Sequence, residues 1–532
     1  MGLKRLLYIS FIGLIFSLTA QNKDFQEEVH LSLNTTNILA AETLNFSAFI
    51  YSNKTKKLSK LSSVLYVELI DKTGRSIFQT KIGLRNGRGA GSIYMNPEWA
   101  SDTYRIVAYT RWMKNYESYF EQKLLILNPY NGLIRNDSIE GDPLKWGKSL
   151  IKDANAYNPL ARVSIDLGDI QPSSLAISIQ KATNWYYPNE ARLNNPKAQL
   201  DTYSILPEYR YALIQGEVSK SSEEPNDLRV NMTVKGSSMQ IATTKTDEQG
   251  RFWMSYNPDF SASDGEVQIE VEDEFINDVS IVDEFYHEYP QLSSGKTPLD
   301  SLSVSELIDR SIHSQVQKAY AETPTKELTD RNSYISQHAT SYYLDEYTRF
   351  SSTRDTFIEI AAFAGVSKNE DNYKMIVRCE QIPELADKDA EPLLLLDGLR
   401  VTAEDILKQS PNTIEKIEVL SKYYFVDDIV YAGAVSVHSY AGKKFDYTPL
   451  GKTFSITDFQ PYADSVHSLK IDENHPVYES NLFWDPMYTH AGGDLNLEFP
   501  TSRLTGSYII SVSGITQSGM PVNLTHYFRV AE

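Results

Sequence analysis

The single cysteine of this 532-residue chain is the first residue that could carry chemistry. Cys379 stands directly before Glu380 and Gln381 in the stretch VRCEQIPE. A covalent trap built on an internal thioester joins a cysteine to a glutamine three residues further on, because the ring that it closes has a fixed size. Gln381 is only two residues from Cys379, and YKMIVRCEQ has the pattern of a strand. We therefore predict a free, half-buried thiol in a strand and no thioester.

The other side chains form no recognisable catalytic or metal-binding pattern. The nine histidines include no HExxH motif and no His-x-His pair, and there is no Gly-x-Ser-x-Gly nucleophile motif. GRGAGS at 87–92 has the composition of a phosphate-binding loop, but no helix pattern follows it, which favours a turn. The sequence thus predicts no catalytic residue, no metal site and no cofactor, and we expect that the protein is not an enzyme.

Two acidic runs are the remaining candidates for a cation site. They are Glu270-Val271-Glu272-Asp273-Glu274 and Asp427-Asp428. A calcium loop needs oxygen ligands at alternating positions around a glycine turn, and neither run contains that glycine. We expect the first run to be a charged strand end that protects a sheet edge.

The N-terminus predicts an exported protein. Lys4 and Arg5 precede an apolar run at 6–18, and a polar segment follows Ala20, which is the pattern of a signal peptide cut near Ala20. No cysteine lies there, so no lipid anchor is expected, and no later apolar run reaches the roughly 20 residues needed to span a bilayer. One cysteine in an exported chain excludes an internal disulfide. We expect a periplasmic protein with no direct membrane insertion.

The charge balance narrows the class of partner. The formal net charge is −19 at pH 7, and an acidic surface repels phosphate groups. Nucleic acid and anionic lipid headgroups are therefore not expected partners. The sequence does not determine the oligomeric state.

Composition and length predict a mainly β chain of several domains. The chain is too long for one hydrophobic core, and its 34 tyrosines, with Val, Ile and Thr between Gly and Pro turns, favour strands. The predicted fold is a multi-domain chain of Ig/fibronectin-like sandwiches with one α/β domain. Its predicted parts are a signal peptide at 1–20, a β-sandwich at 21–128, a strand/loop segment at 129–205, a second β-sandwich at 206–290, a helical linker at 291–345, an α/β domain at 346–445 and a C-terminal Ig-like β domain at 446–532.

The strands near 160–183 need partners from elsewhere in the chain. They are too few to bury a core alone, so we expect them to pair with an adjacent module or with strands around 482–530, which gives a discontinuous β domain.

One stretch of the linker has a helical pattern. SVSELIDRSIHSQVQKAYAE has apolar residues at helical spacing, with Ser303 or Ser305 as N-cap. It predicts an exposed helical connector.

Two stretches resemble known domain families. ETLNFSAFIYS, LSSVLYVELIDKTGR and GSIYMNPEWASDTYRIVAYTRWM resemble the macroglobulin-2-type domain of large exported Bacteroidota proteins over most of 29–127. This resemblance implies a fibronectin-like sandwich and not a protease inhibitor. TDEQGRF at 246–252 resembles the TDxxGxF hairpin of carboxypeptidase-regulatory-like sandwiches.

A third stretch is similar to the plug domain of TonB-dependent outer-membrane receptors. From Pro392 to Lys443 a buried strand, a DG turn, a short helix that Thr402 can cap, IEKIEVL and a G-x-x-x-(I/V) strand follow one another. The uninterrupted apolar run Leu393–Leu396 predicts a central strand that is covered on both faces. About 90 residues follow the match in this sequence, so we expect a plug fold without its barrel.

The resemblances imply a Bacteroidota envelope protein with macroglobulin-2-like, carboxypeptidase-regulatory-like and plug-like domains. The favoured function is a non-enzymatic periplasmic scaffold or gating subunit that associates with an outer-membrane channel or secretion translocon. One specific form of this hypothesis is a soluble plug for the channel of the type IX secretion system. The alternative is a binding module of a TonB-dependent nutrient-uptake system that recognises a peptide or glycan. The candidate partner contacts are Tyr423, Tyr424, Asp427 and Asp428, in a loop expected to face solvent. Aromatic residues at 112–120, 184–188 and 422–425 are compatible with core packing and with a protein-binding rim.

Overall fold

The computed structural model divides the chain into two compact units. Unit 1 takes its residues from 1–210, 285–324 and 460–532, and unit 2 from 211–284 and 325–459. The structure describes residues 26–130, 138–140, 145–146, 155–183, 185–186, 191–194, 204–219, 225–236, 240–258, 265–272, 278–286, 289–292, 296–298, 301–320, 337–369, 372–379, 390–457, 459–463, 465–471 and 476–532. The predicted signal peptide at 1–20 lies outside the described residues.

The first part of unit 1 is a β-sandwich. One antiparallel sheet has the order Glu27–Leu33, Thr43–Ser52, Arg88–Tyr94. The facing sheet has the order Ala191–Asn194, Tyr119–Leu127, Asp102–Tyr109, Val64–Ile70, Ser76–Gly83, Phe459–Gln460, and Asn37–Leu39 pairs in parallel with Tyr119–Leu127. GRGAGS at 87–92 forms a turn and a strand, as predicted.

The aromatic residues after this sandwich belong to its core. Trp112, Met113 and Tyr116 lie in the 3-10 helix Arg111–Tyr116 and are all buried. Tyr119 is also buried. Core packing therefore explains the stretch at 112–120, since the sandwich leaves these side chains no exposed surface to form a rim.

A second sandwich in unit 1 is assembled from distant parts of the sequence. Arg162–Ile170 pairs with Gly493–Pro500 to form a two-stranded sheet. Ser173–Lys181 lies between two later strands in a six-stranded sheet, whose order is Ala156–Tyr157, Pro521–Val530, Gly506–Thr516, Ser173–Lys181, Asn481–His490, His467–Ser468. The core between the two sheets includes Val163, Ile177, Leu495 and Tyr508. The strands near 160–183 thus obtain their buried neighbours from 481–530.

The helix of unit 1 runs from Ser301 to Tyr320, so it begins before Ser303 and Ser305, the two predicted N-caps. It is not an exposed connector along its length. Leu307 is buried, and the Arg310 guanidinium lies 2.6 Å from a Glu42 carboxylate oxygen. Two pairs of short strands complete unit 1: Ser138–Glu140 pairs with Lys296–Pro298, and Lys145–Trp146 pairs with Trp185–Tyr186.

Unit 2 begins with a small sandwich. Ala212–Ser219 pairs with Arg251–Tyr256 and Asp278–Ile281 in one sheet, and the other sheet has the order Ile241–Lys245, Arg229–Val234, Glu266–Val271, Lys452–Ser455. The Asp247 carboxylate accepts hydrogen bonds from the backbone N–H groups of Gln249 and Arg251, which shapes the predicted turn before Phe252. Residues 446–459, assigned from sequence to the C-terminal domain, lie in this unit.

The acidic run at 270–274 begins where the second pairing of its strand ends. Glu266–Val271 pairs with Arg229–Val234 as far as Val271, but with Lys452–Ser455 only as far as Ile269. The side chain of Glu270 contacts Arg400 and that of Glu272 contacts Arg229. Asp273 and Glu274 lie outside the described residues. The strand end at Glu270 and Val271 is therefore paired on one side.

The rest of unit 2 is the predicted α/β module. Its sheet has the order Thr340–Tyr343, Ile414–Leu420, Ala434–Ser439, Leu393–Leu396, Leu399–Arg400, so the sheet begins before the predicted boundary at 346. The run Leu393–Leu396 has neighbours on both sides but lies next to the edge, and Ala434–Ser439 is the central strand. The module also contains two α-helices, Thr353–Glu359 and Ala403–Leu407, and two short 3-10 helices, Leu344–Glu346 and Pro411–Thr413. Two hairpins complete it: Ala364–Asn369 pairs with Asn372–Val377, and Tyr424–Val426 pairs with Ile429–Tyr431.

Candidate partner-binding hairpin

The four predicted contact residues lie on or beside the hairpin of Tyr424–Val426 and Ile429–Tyr431, which we call the unit 2 hairpin. Tyr424 pairs with Tyr431, and Val426 pairs with Ile429. Asp427 and Asp428 form the two-residue turn, and Asp427 has a φ of 53°. Tight turns of two residues need a positive φ at the first turn position, where Asp is tolerated better than most side chains.

One face of the hairpin is anchored in the core of unit 2. The buried residues Leu393, Leu395, Leu420, Tyr431 and Ala434 form a cluster, against which Tyr424, Val426, Ile429 and Ile241 pack as partly buried side chains. Burial raises the pKa of the Tyr424 hydroxyl. Tyr424 is therefore a packing residue that holds the hairpin to the sheet rather than a free contact.

The other face of the hairpin is turned to solvent. Residues alternate between the two faces of a strand, so Phe425 and its cross-strand neighbour Val430 share the face opposite Tyr424. Phe425 is 50% exposed, and Val430 is partly buried. Phe425 lies between two residues that were named from sequence but was not itself named. The alternation of the hairpin, combined with the buried Tyr424, is the signal that finds it.

The two acidic residues at the tip of the hairpin differ in their contacts: Asp428 forms an ion pair within unit 2, and Asp427 is exposed. An oxygen of Asp428 lies 2.5 Å from a guanidinium nitrogen of Arg229, which itself lies 3.4 Å from Glu272. Asp427 is exposed, and Tyr423, just before the hairpin, is partly exposed. Three of the four predicted residues thus lie in the unit 2 hairpin and Tyr423 lies directly before it, and Tyr424 and Asp428 have contacts within unit 2.

The strand next to the hairpin is fixed by polar contacts at the Asp397 turn. Asp397 and Gly398 have φ values of 47° and 88°. The Asp397 carboxylate accepts hydrogen bonds from the backbone N–H and the hydroxyl of Ser439, each at 2.8 Å. Thr402 caps the following helix, and Asp405 completes the capping box, as the predicted N-cap requires. These contacts join the turn after Leu393–Leu396 to the neighbouring strand Ala434–Ser439.

A buried polar group lies on the same sheet. Nε2 of His438 is 2.9 Å from a Glu418 oxygen and 3.1 Å from the Ser436 hydroxyl. A Ser-His-acid triad needs the hydroxyl and the carboxylate on different ring nitrogens, and here both contact Nε2. Burial acts to raise the pKa of Glu418, but the hydrogen bond and charge of His438 and the ammonium of Lys416 lower it to about 2. The group is a hydrogen-bonded network around an ionised carboxylate and does not have the geometry of a nucleophile with its base.

Cys379 is partly buried, and burial raises the pKa of its thiol. Gln381 lies outside the described residues. Within the described part of the chain, no group of three or more His, Cys, Asp or Glu side chains is placed to hold a metal ion. In the same part of the chain, no helix is long and apolar enough to cross a membrane.

Comparisons with known proteins assign no family to the chain. No family model matches it, and no curated protein matches it. Similar solved structures include the native α2-macroglobulin of E. coli (8% identity, 96% of this chain and 40% of that chain, TM-score 0.26) and the Salmonella α2-macroglobulin reacted with methylamine (7%, 95% and 39%, 0.24). Another is dimeric latent PorU of Porphyromonas gingivalis (7%, 51% and 34%, 0.17). The chain spans less than half the length of each, and likenesses with these TM-scores carry no argument about function.

Proposed function

We propose that this protein is a non-enzymatic, exported scaffold or gating subunit that binds an outer-membrane channel or secretion translocon through the unit 2 hairpin. The observation that carries the proposal is the position of Phe425. This side chain is 50% exposed on a hairpin whose opposite face is packed into the core of the unit. It is an aromatic residue presented to solvent by a rigid support.

Such an arrangement suits an anchor for a protein partner. Aromatic side chains that enter a pocket on the partner contribute much of the affinity of an interface, and a hairpin already ordered before binding loses little conformational freedom. Full burial of a Phe side chain contributes about 1.5–3 kcal/mol. Since half of Phe425 is already covered, its remaining burial is worth about 1 kcal/mol, or several-fold in affinity. Tyr423 and Asp427 can add contacts beside it.

The proposal places the protein in the periplasm, held at the outer membrane by its partner. The N-terminal pattern of charge and apolar residues supports export, and the similarity of 392–443 to receptor plug domains supports a partner that forms a channel. A plug-like module would present its exposed hairpin to a channel formed by another protein.

The test is co-purification of a channel with the full chain after gentle detergent extraction of the native cells. We expect Phe425→Ser to reduce the recovered partner at least about threefold, consistent with about 1 kcal/mol of lost contact. Ile376→Ser is the matched control, because Ile376 is 53% exposed on the other hairpin of the same module. Equal recovery with Phe425→Ser and with wild type would reject the hairpin as the contact.

The charged tip gives an independent check. Asp427→Lys should weaken binding without changing the fold by circular dichroism, because the Asp427 side chain is exposed. Asp428→Asn loses the ion pair with Arg229, so its effect reports on hairpin stability. Recovery of a peptide or glycan receptor in place of a channel would favour the nutrient-uptake alternative.

A further inference from the structure

The second sandwich of unit 1 is uneven, with two strands facing six. Within the described part of the chain, Arg162–Ile170 pairs with Gly493–Pro500 on one edge and with no strand on its other edge. In the facing sheet, Pro521–Val530 pairs with Gly506–Thr516 along its length, but with Ala156–Tyr157 only at Arg529 and Val530. An open strand edge presents unpaired backbone N–H and C=O groups that can pair with another polypeptide.

The inward face of Pro521–Val530 is uncovered at the position of this open edge. Alternation places Val522, Leu524, His526 and Phe528 on the face that points into the sandwich. Val522 and Phe528 are buried, at 9% and 0% exposure, whereas Leu524 between them is 37% exposed and His526 is partly exposed. The two-stranded sheet therefore does not cover the middle of Pro521–Val530.

A cavity of about 140 Å³ lies where the cover is missing. It is lined by residues of three strands, which include Asp166, Leu167, Ile510, Val512, Leu524 and His526. An apolar protein cavity of about 150 Å³ accommodates a benzene molecule. The cavity therefore has room for one aromatic or branched aliphatic side chain.

The backbone beside the cavity leaves room for an approaching chain. The pairing of Arg162–Ile170 shifts register between Asp166 and Asp169, at a bulge that includes Leu167 and Gly168. Gly168 has a φ of 86°, and no atom of another described residue beyond its two chain neighbours lies within 4 Å of the position that a Cβ would take. The open edge is thus accessible at the level of the cavity.

The open edge of Arg162–Ile170 and the cavity beside it together form a groove. The charges around this groove indicate the chemistry of the segment that it would bind. Asp166, Asp169, Asp494 and Glu498 are exposed on the two-stranded sheet, and the only exposed cation on its described strands is Arg162, 3.9 Å from Glu498. The outward face of the two-stranded sheet beside the groove is therefore acidic. A partner segment with Lys or Arg residues is complementary to it.

We propose that this groove binds an extended segment of a partner polypeptide as an added strand along the open edge of Arg162–Ile170. One aromatic or branched aliphatic side chain of the segment fills the cavity beside Leu524, and basic residues face Asp166. Backbone hydrogen bonds provide affinity, and the cavity and the acid provide selectivity, as in other β-strand additions. This inference is independent of the proposed function, because it concerns other residues in the other unit.

The test uses the full chain and a labelled probe peptide, Thr-Val-Lys-Phe-Thr-Val-Lys-Thr, in a fluorescence anisotropy titration. Alternate positions place Val, Phe and Val toward the groove and both Lys residues on the opposite face with Asp166. We expect saturable binding that weakens at least about tenfold when Phe is replaced by Ser or when alternate backbone amides of the peptide are N-methylated. Absence of saturable binding would overturn the proposal.

Variants of the chain locate the site. Leu524→Trp fills the cavity and should reduce affinity for the probe at least about tenfold, while Asn523→Trp, on the exposed outward face of the same strand, should leave it unchanged. Asp166→Lys should reverse the preference between the Lys peptide and a version with Glu at both Lys positions. Equal loss with Leu524→Trp and Asn523→Trp would reject the groove. Self-association that Leu524→Trp abolishes, without peptide binding, would assign the groove to a second copy and overturn the proposed occupant.

Discussion

Glu418→Gln is expected to destabilise unit 2 at neutral pH. The variant should also lose much less stability than wild type when the pH is lowered from 5 to 3. The Glu418 side chain is buried, with 2% of the residue exposed. Its two oxygens lie 2.9 Å from Nε2 of His438 and 2.9 Å from Nζ of Lys416. Glutamine keeps the shape of the side chain but leaves the Lys416 ammonium and the His438 ring without their carboxylate.

The magnitude follows from the pKa of Glu418. Burial acts against ionisation, but His438 and Lys416 lower the pKa from the ordinary value of 4.5 to about 2. A lowered folded-state pKa contributes stability that is fully present above about pH 4.5 and is lost as the pH falls toward 2. The interval between the two pKa values corresponds to about 3 kcal/mol, of which about 2 kcal/mol is lost by pH 3. Removal of one partner from a buried ion pair costs about 3–5 kcal/mol at neutral pH.

The assay is native-state hydrogen exchange in the strand Ile414–Leu420 between pH 7 and pH 3, corrected for the intrinsic pH dependence of amide exchange. A chain with two units need not melt in one step, and exchange in this strand reports the opening of unit 2. Glu415→Gln is the matched control, because Glu415 is exposed on the same strand; it should change the free energy of opening by less than about 0.5 kcal/mol. If wild type loses no more stability between pH 5 and pH 3 than Glu418→Gln does, the ionised network is not what stabilises the sheet.

Two further predictions concern the lone cysteine and the turn that follows Leu396. Cys379 should be a free thiol that reacts slowly, because burial raises its pKa, and mass spectrometry after methylamine treatment should show no modification of Gln381; incorporated amine would establish a thioester. Gly398→Ala should cost unit 2 about 1–3 kcal/mol in urea unfolding, since an added Cβ would lie 2.6 Å from the Val234 carbonyl oxygen at a φ of 88°. Gly442→Ala shares a positive φ but, among the described residues beyond its chain neighbours, meets no atom within 4 Å, so equal costs for the two variants would show that the contact with Val234 is unimportant.

The sequence alone determined the features whose causes are local. The composition, rich in Tyr, Val, Ile and Thr with Gly and Pro at turns, predicted a mainly β chain, and the mainly β fold is confirmed. The run Leu393–Leu396 predicted a strand covered on both faces, and two separate clusters cover it. Thr402 predicted a helix N-cap, because a cap depends only on residues within one turn of the helix.

Only the tertiary structure decided which distant segments meet. Ser173–Lys181 could have paired with several strands, and its neighbours Asn481–His490 and Gly506–Thr516 lie about 300 residues away in sequence, where local pattern gives no register. Glu266–Val271 likewise takes one of its neighbours, Lys452–Ser455, from about 180 residues away in sequence. The sequence places the four predicted contacts, two tyrosines and two aspartates, in one loop. Which of these side chains face solvent depends on the surface of unit 2 against which the hairpin packs. Because that surface is built from Leu393, Leu420 and Ala434, Tyr424 is covered and Phe425 is exposed.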